Sequence, residues 1–321
     1  MRAKKLIFPQ IGICYNETMK RLLIIDGNAL VHRAYHALPA LTTKKGELVN
    51  AVYGFITVFL KTIRELKPDF ICACFDLAGP TFRHEKFDGY KATRVKAPDE
   101  LYEQIPKIKQ FLEAFSVPIF EKQGFEADDL IATIAKTPQV EEIESIILSG
   151  DLDTLQLVDD NTKVYTMKKG MGDTVLYDTE KVKERYNLFP SQVVDLKSLM
   201  GDVSDNIPGV KGIGPKTAAD LLNKFKTLEN LYYEIEKETE KVKEIKPRIK
   251  ELLVANKEQA FFSKMLAQAK EDVPIDFNLE KCAWKNFDKD KVVKLLQESE
   301  FYTLINRLPG EIKEQNPLFN A

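Results

Sequence analysis

The stretch RLLIIDGNALVHRAYHAL, residues 21–38, decides the fold. Four apolar residues of strand type, LLII after Arg21, run straight into the carboxylate of Asp26, and NALVHRAYHAL then predicts a helix with Asn28 as its cap. A buried strand that ends on an acid and turns at once into a helix is the opening of an α/β unit. Two further apolar runs end the same way: FICACFD (70–76) and SIILSGD (145–151). Between and after them, the periodicity predicts helices over 52–66, closed by Pro68, over 99–115 despite Pro106, and over 126–136, with a helix opening at DLDTLQLV. VPIFE (117–121) predicts a short strand, and KVYTMKK with TVLYD predicts a hairpin. This alternation implies an α/β fold: a mostly parallel central sheet with flanking helices.

In such a sheet, side chains just past the carboxyl ends of the strands meet at one edge, where ligands bind. The acids fall there: Asp26, Asp76, Glu126, Asp128 and Asp129 in FEADDL, Asp151 and Asp153 in SGDLD, and Asp202 and Asp205 in MGDVSDN. Each group has a plain alternative. Acids in a first turn complement the helix dipole, SGDLD can cap a helix, and MGDVSDN can be a polar turn. Asp26 and Asp76 end buried strands, where an unpaired acid brings the fold no benefit. Carboxylates about 4 Å apart repel by roughly 4 kcal/mol at an effective dielectric near 20. Hard divalent cations, Mg²⁺ or Mn²⁺, are the natural neutralisers, which points to metal-dependent phosphoryl transfer.

Two other segments carry chemistry. FRHEKFDGYKATR (82–94), inside a long excursion over 79–98, interleaves Arg83, Tyr90, Lys91 and Arg94, a composition suited to single-stranded nucleic acid; a solvated charged loop is the alternative. GVKGIGPKTAADLL (209–222) has the glycine spacing of a phosphate loop, but Pro215 stands where that loop needs lysine. It predicts two helices joined by a glycine hairpin over about 203–226. There Gly212 and Gly214 allow close approach, Lys211 and Lys216 supply charge for a phosphate backbone, and Gly209 and Thr217 complete the candidate DNA contact.

The 321 residues are 44% hydrophobic and 30% charged, with net charge −2, so nucleic-acid contact must come from local basic patches. The four cysteines (Cys14, Cys72, Cys74, Cys282) form no zinc-type spacing and suit a cytoplasmic protein with reduced thiols. No run is long enough to span a membrane. Residues 1–18 are expected to be a poorly ordered extension, 19–178 the α/β core, 179–308 a helical region and 309–321 a tail.

Taken together, LLIIDGNALVHRAYHAL, FDLAGPTFRHEKFDGYKATR, GFEADDLIA, LSGDLDTLQL and LMGDVSDNIPGVKGIGPKTA resemble the flap endonuclease and 5′–3′ exonuclease family, in the form of the 5′-nuclease domain of bacterial DNA polymerase I. The resemblance runs from about 20 to 308. It implies a PIN-like core, an arch over the active site, and a helix–hairpin–helix that grips duplex DNA and holds a K⁺ ion. It makes the nine acids named above ligands of two metal ions, and matches Tyr90, Lys91 and Arg94 to the arch. It implies cleavage of DNA at a 5′ end or flap, and of RNA–DNA primer junctions, with 5′-phosphate products. A monomer near the nucleoid is expected, with a polymerase in cis or in trans. A PIN-like ribonuclease and a non-enzymatic DNA-binding module are the competing readings.

Overall fold

The computed structural model describes residues 19–310 except 169, 171, 172 and 286. The expected extension and most of the expected tail lie outside them. The strands are β1 (Arg21–Asp26), β2 (Phe70–Cys74), β3 (Ile119–Phe120), β4 (Glu144–Leu148), β5 (Thr162–Met167) and β6 (Thr174–Tyr177). They form one sheet in the order β3-β2-β1-β4-β5-β6, parallel throughout except for the antiparallel β5–β6 pair. The chain builds outward from β1 through β2 to β3, then returns to the other flank of β1 as β4. The switch point of the sheet therefore lies between the carboxyl ends of β1 and β4.

Helices α1 (Gly27–Ala37), α2 (Asn50–Leu66), α4 (Asp99–Tyr102) and α5 (Ile105–Ala114) contribute to the apolar cluster on one face, with Phe55, Phe59 and Phe111 at its centre. Helices α6 (Ala127–Ala135) and α7 (Thr179–Tyr186) pack on the other. Cys72 and Cys74 lie buried on that second face, beside Cys282. The first turn of α1 lies flat on the sheet because residue 27 is glycine: a Cβ there would stand 2.4 Å from the Phe75 ring.

Several local expectations differ from what forms. Asp26, not Asn28, caps α1, accepting from the Ala29 N–H; Asn28 instead accepts from the Asp76 N–H at 3.1 Å. Pro106 starts α5 rather than sitting inside one long helix, because it has no N–H to give a preceding turn. DLDTLQL tightens into a 3₁₀ turn, Leu152–Leu157, under the Asp151 cap. The excursion at 79–98 carries a short helix, α3 (Phe82–Lys86), and buries Arg83 and Tyr90.

Beyond the sheet stand α8 (Val193–Met200), α9 (Pro215–Phe225), α10 (Leu228–Glu236), α11 (Pro247–Ala255) and α12 (Lys257–Ala267). They share a separate core, from Leu188 to Ala260. Val182 of α7 still belongs to the sheet core, so the change of core falls later than the expected 178. Helices continue as far as Ile305, but the later ones leave the separate core. Ala269 and Val273 return to one sheet face, and α13 (Lys289–Glu298) with α14 (Tyr302–Ile305) returns Val292, Leu296 and Leu304 to the other.

A glycine hairpin joins α8 to α9, with Gly214 preceding Pro215 at the first position of α9; its first helix ends at Met200, before the expected start at 203. The tightest approach falls at Gly209, however. Gly214 has open space around it, whereas Gly209, at φ +59°, lies so near Gly201 that a Cβ would stand 2.2 Å from its nitrogen. Gly209→Ala is accordingly expected to cost about 2–4 kcal/mol, from overpacking and a left-handed backbone together. Urea unfolding checks this, and a midpoint at the wild-type value would contradict it.

Candidate active site

A cavity of about 460 Å³ opens at the switch point. Its lining includes Asp26 at the end of β1, Asp76 past β2, Glu126 and Asp128 at the start of α6, Asp151 past β4, and Asp205 from the hairpin. Lys91 and Arg94 line it from the folded excursion, and Asn28, His32, Arg33 and His36 from α1. Six of the nine expected acids therefore meet.

Burial and mutual repulsion set the electrostatics. Burial pushes the Asp26 carboxyl up to about 7, although Ser149 Oγ donates to it at 2.6 Å and Ala29 N at 3.0 Å; Asp76 and Asp151 add repulsion. Asp128 is held well above the usual carboxylate range by burial and by the charges of Asp26 and Asp151. Asp76, exposed at the rim, is raised chiefly by desolvation among its crowded neighbours, with its Oδ1 accepting from Ala127 N at 2.7 Å.

A second set is neutralised from within. Lys91 Nζ stands 2.6 Å from Glu126, and Arg94 Nη2 2.5 Å from Asp205. Tyr90, buried beneath them, donates to Glu126 at 3.0 Å, and its hydroxyl is held in the protonated form by burial and by the charge of Glu126. In this conformation Tyr90 presents no ring face for a base to stack on. Lys91 itself adopts a left-handed φ of +55°, fixed by its N–H donating to Asp205 O at 3.0 Å.

Three expected metal ligands stand apart. Asp153 and Asp202 do not line the cavity; they share Lys197, which lies 2.5 Å from Asp202. Burial pushes Asp153 up to about 6, whereas Lys197 and Ser204, outweighing burial, hold Asp202 down to about 2. Asp129 is 0% exposed, and all four of its acceptor positions are taken: Arg83 Nη2 and Lys270 N on one oxygen, Arg83 Nη1 and Glu126 N on the other. It has no lone pair free for a cation. Arg83 is likewise withdrawn from any DNA contact. It is 2% exposed, and its five N–H donors go to Asp129 twice, Glu126, and the carbonyls of Leu266 and Gln268.

The hairpin residues Lys211, Gly212, Gly214 and Lys216 are exposed, Thr217 is partly so, and Gly209 is buried, with its N–H donating to Ser263 Oγ. The sequence reading overlooked Lys197, Ser149 and the polar stripe of α1. That stripe had a signal: Asn28, His32 and His36 recur every fourth residue, opposite the apolar Leu30, Val31 and Ala34.

The carboxylates fit divalent metal in kind. Asp26, Asp76, Asp128 and Asp151 face the cavity with no protein cation in an ion pair to any of them among the described residues. No three acid, histidine or cysteine side chains among the described residues form a ready-made cage.

A parallel sheet with this acidic edge, a basic strap across it and a separate helical core define a class: the acid-edged α/β nucleases. The chain belongs to the 5′-3′ exonuclease family. The family's N-terminal resolvase-like domain matches residues 21–187, and its C-terminal SAM fold matches 188–290. DNA polymerase I of Bacillus subtilis is 41% identical over 295 residues, 92% of this chain and 33% of that protein. DNA polymerase I of Caldicellulosiruptor bescii is 42% identical over 290 residues, 90% of this chain and 33% of that protein. The chain thus spans about a third of the length of these relatives. Among solved structures, the bacteriophage T5 flap endonuclease, in a pseudo-enzyme-product complex with DNA and metal ions, superposes with a TM-score of 0.63. It is 19% identical, covering 90% of this chain and 98% of that one, and so speaks for the fold.

Proposed function

We propose that this chain hydrolyses DNA at 5′ ends and 5′ flaps, as a 5′–3′ exonuclease and flap endonuclease that removes RNA primers and displaced strands. The observation that carries this is the convergence of six carboxylates with Lys91 and Arg94 around one cavity at the switch point. The names of the relatives, and the DNA and metal ions present in the T5 complex, support the substrate and the need for divalent ions.

Asp26, Asp76, Asp128 and Asp151, with Glu126 and Asp205, are the side chains that would hold Mg²⁺ or Mn²⁺, two ions on this reading, directly or through water. Asp153 and Asp202 would act from one side. Bound there, the metal supplies Lewis-acid charge on the scissile phosphate and lowers the pKa of an attacking water. Lys91 and Arg94 hold the places of cations on Glu126 and Asp205 until substrate arrives. Released from those carboxylates, they neutralise the charge that develops on the phosphate. Asn28 fixes the backbone N–H of Asp76, and Ser149 ties Asp26 across the switch to β4. The products carry a 5′-phosphate. The glycine hairpin grips the duplex without regard to sequence through Lys211, Lys216 and Thr217, and it is the element that would hold a K⁺ ion. The reading also includes a monomer, a cytoplasmic and nucleoid setting, and a polymerase in cis or in trans. Among the described residues no helix is long and apolar enough to cross a membrane.

The test is cleavage of a 5′-labelled flap duplex in Mg²⁺ and in EDTA, on wild type and Asp151→Ala. Cleavage at the junction is expected to need Mg²⁺. It is expected to fall about 10²–10⁴-fold in the variant, the size of several kcal/mol of lost charge stabilisation. Flap binding in Ca²⁺ survives. Binding by the wild type without cleavage, in Mg²⁺ and Mn²⁺ alike, would move the chain to the DNA-binding module.

A further inference from the structure

In the helical unit most basic side chains are neutralised where they stand. Lys224, Lys241, Lys243, Lys250, Lys257 and Lys264 each pair with a glutamate. Lys226 is taken up by the Asn223 carbonyl and Lys237 lies over the Tyr233 ring. Four exposed cations have no such partner among the described residues: Lys211 and Lys216 of the hairpin, and Lys246 and Arg248 at the start of α11.

The two pairs stand on segments that touch. Gly212 takes a φ of +95°, and a Cβ built on it would stand 3.1 Å from Leu252 Cδ1, so the hairpin rests directly on α11. Arg248 precedes Leu252 by four residues and lies on the same helix face, with their Cβ atoms about 6 Å apart. Lys246 stands immediately before the helix. Glu251, the nearest acid along α11, forms no ion pair with either. The unpaired positive charge of the helical unit is therefore carried by the hairpin and by the start of the helix it touches. Like charges gathered without counter-charges bring the fold nothing; they suit a polyanion.

We propose that Lys246 and Arg248 form a second phosphate-contacting patch, which extends the duplex-DNA footprint of the hairpin onto α11. This rests on the reading of the hairpin as a duplex contact. Double-stranded DNA carries one charge per roughly 1.7 Å of axis, so a patch displaced by one helix from the hairpin meets further phosphates of the same duplex. The contact is to the backbone and indifferent to sequence.

The experiment is fluorescence anisotropy with a labelled 20-bp duplex bearing a 5′ flap, in Ca²⁺, across a series of KCl concentrations. Wild type is compared with Lys246→Ala/Arg248→Ala and with Lys211→Ala/Lys216→Ala. Each double variant is expected to lower the slope of log K against log salt by about 1.8, or roughly 0.9 for each lost contact. The charge-keeping Lys246→Arg/Arg248→Lys is expected to retain the wild-type slope, which separates lost phosphate contact from local unfolding. A wild-type slope and affinity in Lys246→Ala/Arg248→Ala, beside a reduced slope in the hairpin variant, overturns the α11 patch and leaves the hairpin reading intact. Wild-type slopes in both overturn the two together.

Discussion

Replacing Arg83 with methionine is expected to destabilise the fold by about 3–5 kcal/mol, the usual loss when one partner of a buried ion pair is removed. The size follows from what is left behind. Arg83 spends all five of its N–H donors, three of them on the carboxylates of Asp129 and Glu126. Its charge is fixed there because Asp129 more than offsets the burial. Without it, Asp129 keeps two backbone N–H bonds, from Glu126 and Lys270, and no counter-charge at a site with no exposure to water. Domains are stable by about 5–15 kcal/mol, so the loss takes a large share of the total. Urea unfolding is the measurement. Arg83→Met/Asp129→Leu is expected to recover much of it, since replacing a buried pair with apolar groups is often close to neutral. If Arg83→Met kept the wild-type midpoint and lost only DNA affinity, Arg83 would return to the nucleic-acid contact and the buried pair would carry little.

The same pair shows where sequence reading stops. The strand-then-acid signature at Asp26, Asp76 and Asp151 depends on hydropathy along the chain, and it located both the sheet and the edge on which the cavity opens. Which acids are available to a ligand depends on what faces them from elsewhere. Arg83 is 46 residues from Asp129 in sequence, and FEADDL looks the same whether its second aspartate is free or sealed. Segment 79–98 hid its buried side for a related reason: the residues it buries include an arginine and a tyrosine satisfied by carboxylates, so no apolar period marks them. Where one core gives way to the next is not legible in the sequence, because helical periodicity is blind to which core a helix joins. Val182 and Leu304 serve the sheet, while Leu221 serves the separate helical core, and all three look alike in sequence.

Asp26→Asn is expected to make the protein more stable and nearly inactive. Burial holds the Asp26 carboxyl up at about 7, against its ordinary 3.8. Between those values the folded chain keeps a proton that the unfolded chain releases. Stability therefore declines as pH rises from about 4 to about 7, and the decline is complete above pH 8. Asp76 and Asp128 are raised as well, and Asp153 is raised to about 6, so they act with the same sign. Asp202, held at about 2, acts with the opposite sign, but below pH 4. In EDTA the wild type is thus expected to melt at a lower temperature at pH 8 than at pH 5.5. Mg²⁺ is expected to reverse the loss, because an ion bound only to the folded edge stabilises it by mass action. Asparagine removes the charge and can keep both bonds, accepting from Ala29 N and meeting Ser149. At 1.36 kcal/mol per pH unit, the gap from 3.8 to about 7 sets a ceiling near 4 kcal/mol. About half of that, roughly 2 kcal/mol, is expected at pH 8 in EDTA, seen as a melting temperature some 4–8 °C above wild type. Cleavage in Mg²⁺ is expected to fall about 10²–10⁴-fold in the same variant. A purely structural carboxylate cannot move stability up and activity down together. If melting in EDTA were indifferent to pH, or Asp26→Asn were less stable than wild type at pH 8, the carboxylate would be supporting the fold. The strained acidic edge would then lose its place in the mechanism.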